Sequence, residues 1–212
     1  MDITFESLKN PTAQELAQVE QIYLANFPPD EKMPFQEAAD GLVKGWLTVL
    51  VARVGEQIAG MAMLNPLPDA PLWYLPYIAV DSSQHGNGIG SRLFQFMLDF
   101  LRYETDTEGL IWEVEPDVPG QPDHPQNRRI RFYERQGAQL LRRIPNYVMP
   151  SMIDENSVVP ARLMWCPVRG ALREVPLAEV LRWLRALYAC SYPDHPGLCE
   201  QIIAGLNAGE QP

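Results

Sequence analysis

Apolar and polar residues alternate from Ile3 to Leu8, the period of a strand with one buried face. The period then lengthens to that of a helix. Leu16, Val19, Ile22 and Tyr23 fall on one face, Thr12 stands where an N-cap belongs and Glu15 where its capping-box partner belongs, and Pro28-Pro29 end the helix near Phe27. Asp30, Glu31 and Lys32 lie in a loop, and Phe35 to Lys44 reads as a second short helix. Two β-rich runs follow, Thr48 to Val54 and Gln57 to Leu64, with Gly55-Glu56 between them as the signal for a tight hairpin.

The stretch from Leu72 to Tyr103 organises the rest. An apolar strand, Tyr74 to Val80, runs through a polar turn into a loop with glycine at positions 86, 88 and 90. An amphipathic helix then carries Leu93, Phe94, Phe96, Met97, Phe100 and Leu101. Alternate glycines let the backbone coil tightly and turn several N–H groups toward one point, and the helix start adds unpaired N–H groups and a positive dipole end. Such a loop holds an anion, most often a phosphate. Pro76 cannot donate to a sheet ladder, so a break in pairing is expected in the middle of this strand.

Beyond it, Leu110 to Glu115 reads as a strand, Pro116 to Pro125 as a loop stiffened by four prolines, and Asn127 to Arg135 as a helix ended by Gly137. Strands are expected around Gln139 to Ile144 and over Val158 to Val168, the latter interrupted by Pro160. From Gly170 the character changes. Val175 to Tyr188 and Leu198 to Leu206 have helical spacing on either side of Pro193-Asp194-His195-Pro196, the pattern of a helical hairpin. The order β α α β β β α β α β β is a mixed α/β pattern. It predicts a main domain over residues 1–167 and an appended helical hairpin over 168–212 that packs on the domain or forms a subunit contact, as in a homodimer.

A chain of 212 residues, 46% of them hydrophobic, can bury one good core. Its formal net charge of −10 argues against nucleic-acid binding through phosphate neutralisation and suits a cationic partner such as an amine. Three irregularly spaced cysteines, Cys166, Cys190 and Cys199, argue against a disulfide framework and for a reducing compartment. Cys190, His195 and Cys199 lack the further ligands a zinc site needs, so no metal is expected. The acidic N-terminal segment has no apolar core of a signal peptide, and no apolar run approaches a membrane span. The expected location is the cytoplasm.

The run from Val80 through Asp81, His85, Gly86, Asn87, Gly88, Ile89, Gly90 and Ser91 to Leu93 closely resembles the acetyl-CoA-binding motif of the GNAT superfamily of N-acetyltransferases. The later run Arg129-Ile130-Arg131-Phe132-Tyr133-Glu134-Arg135-Gln136-Gly137-Ala138 resembles that family's second motif. The likeness spans about residues 1–167. It implies a mixed, mostly antiparallel sheet with a splayed central strand pair and helices on both faces. It further implies that acetyl-CoA lies along Ile78, Ala79 and Val80, with its pyrophosphate on the amides of His85 to Ser91. His85 departs from the family's usual Arg or Gln, and the helix-opening asparagine aligns with Gln126, one residue before Asn127, so either amide could serve.

The same resemblance puts Tyr133 near the CoA sulfur as the acid for the leaving thiolate. A phenol suits protonating, or at least hydrogen-bonding, a thiolate of comparable basicity. Glu113 and Glu115 point to the same side of their strand, with Ile111, while Trp112 and Val114 occupy the other. Glu113, followed by Val, resembles the general base of the ribosomal-protein N-terminal acetyltransferases, and burial would raise its pKa toward the working range. Glu115 or water could take that part, and either glutamate could instead pair with an arginine. Trp73, Tyr74, Trp112 and Tyr147 are candidates to line an acceptor pocket, although aromatics on strands are more often core. The implied activity is direct transfer of an acetyl group to a primary amine of a small molecule or peptide. The alternative is a non-catalytic acyl-CoA sensor. A dinucleotide-binding domain fits poorly, because the glycine spacing is G-x-G-x-G and the loop follows hairpin strands.

Overall fold

The computed structural model describes residues 2–209. The chain divides into two compact units: Met1–Pro66 with Leu75–Asp106, and Leu67–Tyr74 with Thr107–Pro212.

The first unit holds β1 (Ile3–Ser7), α1 (Ala13–Asn26), α2 (Phe35–Lys44), β2 (Thr48–Val54), β3 (Gln57–Pro66), the Leu75–Val80 part of β4 (Leu72–Val80), and α3 (Ile89–Glu104). The capping box at α1 forms as expected: the Glu15 N–H donates to Thr12 Oγ1 at 3.2 Å and the Thr12 N–H donates to Glu15 Oε2 at 2.8 Å. Gly45, at φ 81°, stops α2 in the left-handed conformation that closes many helices. β1 pairs antiparallel with β2, and β2 with β3 across the Gly55-Glu56 turn. Side chains alternate across the strands. Val49, Val51, Met61, Met63, Tyr77 and Ala79 form one core with Val19, Ile22 and Tyr23 of α1 and Ala38 of α2. On the opposite face Gly60 leaves the space taken by α3, where an added Cβ would lie 3.4 Å from Leu93. Helices therefore cover both faces.

The second unit holds Leu72–Tyr74 of β4, β5 (Gly109–Val114), α4 (Pro125–Arg135), β6 (Gln139–Leu140), β7 (Val148–Pro150), β8 (Val158–Pro160), β9 (Arg162–Pro167), α5 (Leu177–Ser191) and α6 (Pro196–Gly209). β5 pairs antiparallel with β9, and β9 with β6. The sheet is mixed and mostly antiparallel, with strand order β1-β2-β3-β4-β5-β9-β6. Its parallel pairing of β4 with β5 joins Leu72, Trp73 and Tyr74 to Gly109, Leu110 and Ile111 and extends no further among the described residues. Pairing stops two residues before Pro76, the break expected from that proline.

The structure departs from expectation between Gln139 and Val168. Only Gln139 and Leu140 pair as strand, because Leu141 to Ile144 turn, with the Ile144 N–H donating to Leu141 O at 3.1 Å. The Leu141 N–H still donates to Leu163 O of β9 at 2.8 Å, and the Leu141 and Ile144 side chains enter the core. The strand over Val158 to Val168 is interrupted after Pro160 as expected, giving β8 and β9 parted at Ala161, but β8 pairs with β7 in a separate ribbon instead of continuing the sheet. α5 and α6 share an apolar core with β5 and β9, where Trp183 stacks on Trp165 with centroids 5.7 Å apart and Leu184, Leu187 and Ile203 join Ile111 and Leu163.

Candidate functional site

The glycine loop, in the first unit, is assembled by short-range bonds. The Asp81 N–H donates to Ala59 O at 2.9 Å, and the Asp81 carboxylate accepts from the Ser83 hydroxyl and N–H, which hold it below the usual carboxylate range. Ser82–Gln84 make one 3₁₀ turn. His85 Nε2 lies 3.0 Å from Val80 O; a carbonyl only accepts, so this nitrogen carries the proton and donates. The imidazole thus braces the end of β4.

Gly86 and Gly88 have φ of 82° and 73°, the left-handed region that side chains other than glycine rarely adopt. A Cβ added to either would meet nothing within 4 Å, so conformation rather than crowding demands glycine there, and the loop borders open space. Asn87 between them is exposed. Buried Ile89 anchors the start of α3. No side chain caps that helix, whose first backbone bond is donated by the Arg92 N–H to Gly88 O at 3.2 Å. The N–H groups of Ile89, Gly90 and Ser91 precede that bond and have no intrahelical acceptor. An uncapped helix end beside two left-handed glycines fits a phosphate group. Upstream, Tyr77 and Ala79 face the α1–α2 core, and Ile78 and Val80 turn the other way.

The second unit holds a buried carboxylate. Glu113 accepts hydrogen bonds from three phenols: Tyr74 at 2.5 Å on Oε2, and Tyr147 at 2.7 Å and Tyr192 at 3.1 Å on Oε1. Burial raises its pKa above the ordinary value of 4.5, and the three donors oppose that rise. Burial and the neighbouring carboxylate likewise push the Tyr147 phenol well up. Tyr188 packs edge-on against Tyr192 and donates to Val148 O at 2.6 Å, fixing the aromatic surround. From the sequence Tyr74 and Tyr147 read only as candidate pocket aromatics, and no motif singles out Tyr192. The available signal was chemical: a buried tyrosine generally needs a partner for its hydroxyl.

Tyr133 is buried on α4, its ring 5.0 Å from that of Trp112 in an edge-on contact, and burial raises its pKa to about 12. Trp112 and Glu113 are successive residues of β5 and point to opposite faces. Tyr133 and Glu113 therefore belong to opposite faces of one strand. Glu115 lies past the end of β5 and forms an ion pair with Arg129. The Asn127 amide accepts from the Val118 N–H at 2.9 Å and donates to Val118 O and Gln121 O at 2.7 and 2.6 Å. It thereby fastens the proline loop to α4 beside a cavity of about 320 Å³ bordered by Gln121, Arg131, Glu134 and Arg142. Among the described residues no group of His, Cys, Asp and Glu could hold a metal ion, and no helix is long and apolar enough to cross a membrane.

Residues 16–138 match the model of the acetyltransferase (GNAT) family. Curated proteins give no match. Among solved structures, the chain is similar to a putative GNAT-family acetyltransferase from Bacteroides thetaiotaomicron, with a TM-score of 0.69, 20% identity, and 89% of this chain and 98% of that one covered. It is similar to the ribosomal-protein-S18-alanine N-acetyltransferase from Escherichia coli, with a TM-score of 0.58, 18% identity, and 82% and 99% covered. An aminoglycoside 6′-N-acetyltransferase complexed with coenzyme A gives a TM-score of 0.59 at 13% identity, with 80% and 99% covered. At these identities the structural likeness establishes the fold.

Proposed function

Because the chain belongs to the GNAT acetyltransferase family, we propose that it is an acetyl-CoA-dependent N-acetyltransferase that acts on a primary amine of a small molecule or peptide. The observation that carries this reading is the glycine loop: left-handed Gly86 and Gly88 in open space, followed by the uncapped N-terminus of α3. The amides of His85, Gly86, Asn87, Gly88, Ile89, Gly90 and Ser91 hold the pyrophosphate, and the backbone of Ile78, Ala79 and Val80 receives the pantetheine arm. Asn127 contributes by fixing the proline loop, since its amide is already bonded there. The thiols of Cys166, Cys190 and Cys199 suit a reducing compartment such as the cytoplasm.

In the reaction the neutral amine attacks the thioester carbonyl, a C–N bond forms, the C–S bond breaks, and the nitrogen loses a proton. Glu113, on the other face of β5 from Tyr133, is the base that receives this proton by relay, through water or one of the phenol hydroxyls bonded to its carboxylate. Its raised pKa favours that role, whereas the Glu115 carboxylate is committed to Arg129. Tyr133, with a pKa near 12, stays protonated and stabilises the departing thiolate by donating a hydrogen bond. The thiolate then takes a proton from solvent and Glu113 releases its own to solvent, so the products are the N-acetylated amine and free CoA thiol. Its net charge of −10 favours approach of a cationic acceptor.

Tyr133→Phe tests the reading. Acetyl-CoA should bind it as tightly as the parent protein while turnover falls at least about 10-fold, as loss of a transition-state donor requires. Equal turnover in both proteins would remove Tyr133 from the mechanism, and absence of turnover in the parent would favour an acyl-CoA sensor.

A further inference from the structure

Tyr192 stands outside the residues that match the family model and just past the last turn of α5. Its N–H donates to Tyr188 O at 2.9 Å, its side chain is buried, and its hydroxyl reaches Glu113 Oε1 at 3.1 Å. Met149 Sδ, at 3.6 Å, is the weaker acceptor nearby. The helix that delivers this hydroxyl is firmly held: Trp183 stacks on Trp165, and Leu184 and Leu187 lie in the core. Packing alone does not explain the residue. Phenylalanine would fill the same space, so the oxygen serves the carboxylate rather than the volume.

We infer that Tyr192 is a positioning residue for Glu113: the C-terminal helices supply the third hydroxyl that fixes this carboxylate for its part in acetyl transfer. The inference rests on Glu113 being the base. The groups that face the carboxylate are Tyr74 from β4, Tyr147 from the segment before β7, Tyr188 from α5 and Tyr192 just past its end, with Met149 of β7 against the Tyr192 hydroxyl and Leu163 of β9 opposite Glu113 in register. The three phenols are its side-chain hydrogen-bond donors among the described residues. Each donor favours the ionised form, which burial disfavours. Removing the Tyr192 donor therefore makes the carboxylate harder to ionise and leaves Oε1 held by the Tyr147 hydroxyl alone.

The test compares the parent chain with Tyr192→Phe and Arg185→Gln. Arg185 forms an exposed ion pair with Glu200 at 3.0 Å, joining α5 to α6 without touching the carboxylate. Carbon NMR of carboxyl-labelled glutamate, with Glu113 assigned by Glu113→Gln, reads its titration directly. Tyr192→Phe should move the midpoint up by about one pH unit, the size of one hydrogen bond to a charged group, and Arg185→Gln should leave it in place. With acetyl-CoA and a panel of primary amines, the acid limb of the rate profile should move by the same amount while the KM for acetyl-CoA holds. A midpoint unchanged by Tyr192→Phe, or moved equally by Arg185→Gln, would overturn the inference. If Tyr192→Phe does not fold, fluorotyrosine at position 192 keeps the hydroxyl, and its fluorine resonance must follow the Glu113 titration; a resonance blind to it would also overturn the inference. A parent chain that turns over no amine would defeat the proposed activity instead, while the NMR midpoint would still decide the coupling of Tyr192 to Glu113.

Discussion

The hydroxyl of Tyr74 donates to Glu113 over 2.5 Å, and Tyr74 is also the last residue of β4 that pairs with β5. One residue thus ends the parallel ladder and supplies a donor to the carboxylate on the neighbouring strand. The point where main-chain pairing stops is also where the side-chain hydrogen bonds to Glu113 begin.

Glu113→Gln keeps the shape of the side chain and removes its capacity as a base. We expect kcat to fall by about 100-fold or more, the usual worth of general-base catalysis, with the dissociation constant for acetyl-CoA unchanged. In the parent protein the rate should rise with pH through a midpoint above the ordinary carboxylate value of 4.5, because the proposed base must be ionised and burial opposes that. Steady-state kinetics from acid to neutral pH measure both effects.

The same carboxylate links stability to pH in the opposite sense. Its folded-state pKa is raised, so the fold favours the protonated form; that contribution is fully present below 4.5 and lost as pH rises through the folded value. Relative to the parent, Glu113→Gln should therefore gain stability as pH climbs through that window. Denaturant midpoints for the two proteins at acid and neutral pH check the sign.

Gly86→Ala and Gly88→Ala should both impair acetyl-CoA binding through backbone strain. Neither added methyl meets an atom within 4 Å, so the cost is that of the left-handed conformation, roughly 1–2 kcal/mol. If the strain is relieved by reshaping the loop, affinity should drop about 10-fold. Calorimetric titration with acetyl-CoA measures it, and asparagine, which tolerates this conformation better, should lose less at Gly86.

Much of this was legible in the chain because it depends on local chemistry. The Thr12–Glu15 box, the span of α2, the Gly55-Glu56 turn and the glycine loop follow from residues within a few positions of one another. Pro76 announced the end of pairing because a missing N–H cannot be compensated elsewhere. What escaped was long-range. Leu141 and Ile144 are apolar for the core, and sequence periodicity cannot separate that from a strand face. The pairing of β7 with β8 joins three residues on each side across a loop, too short a signal to read. Tyr192 is 79 positions from Glu113, and only the packing of α5 brings its hydroxyl to the carboxylate.

The most direct measurement is release of free CoA thiol from acetyl-CoA by the purified chain, with a panel of primary amines spanning small polyamines, aminoglycosides and peptide N-termini. The expected result is thiol release that requires an amine, matched by one acetyl group on that amine in the mass spectrum, and weakened by Gly86→Ala at limiting acetyl-CoA. Acetyl-CoA binding with no thiol released for any amine would contradict it, leaving a protein that holds the cofactor without using it.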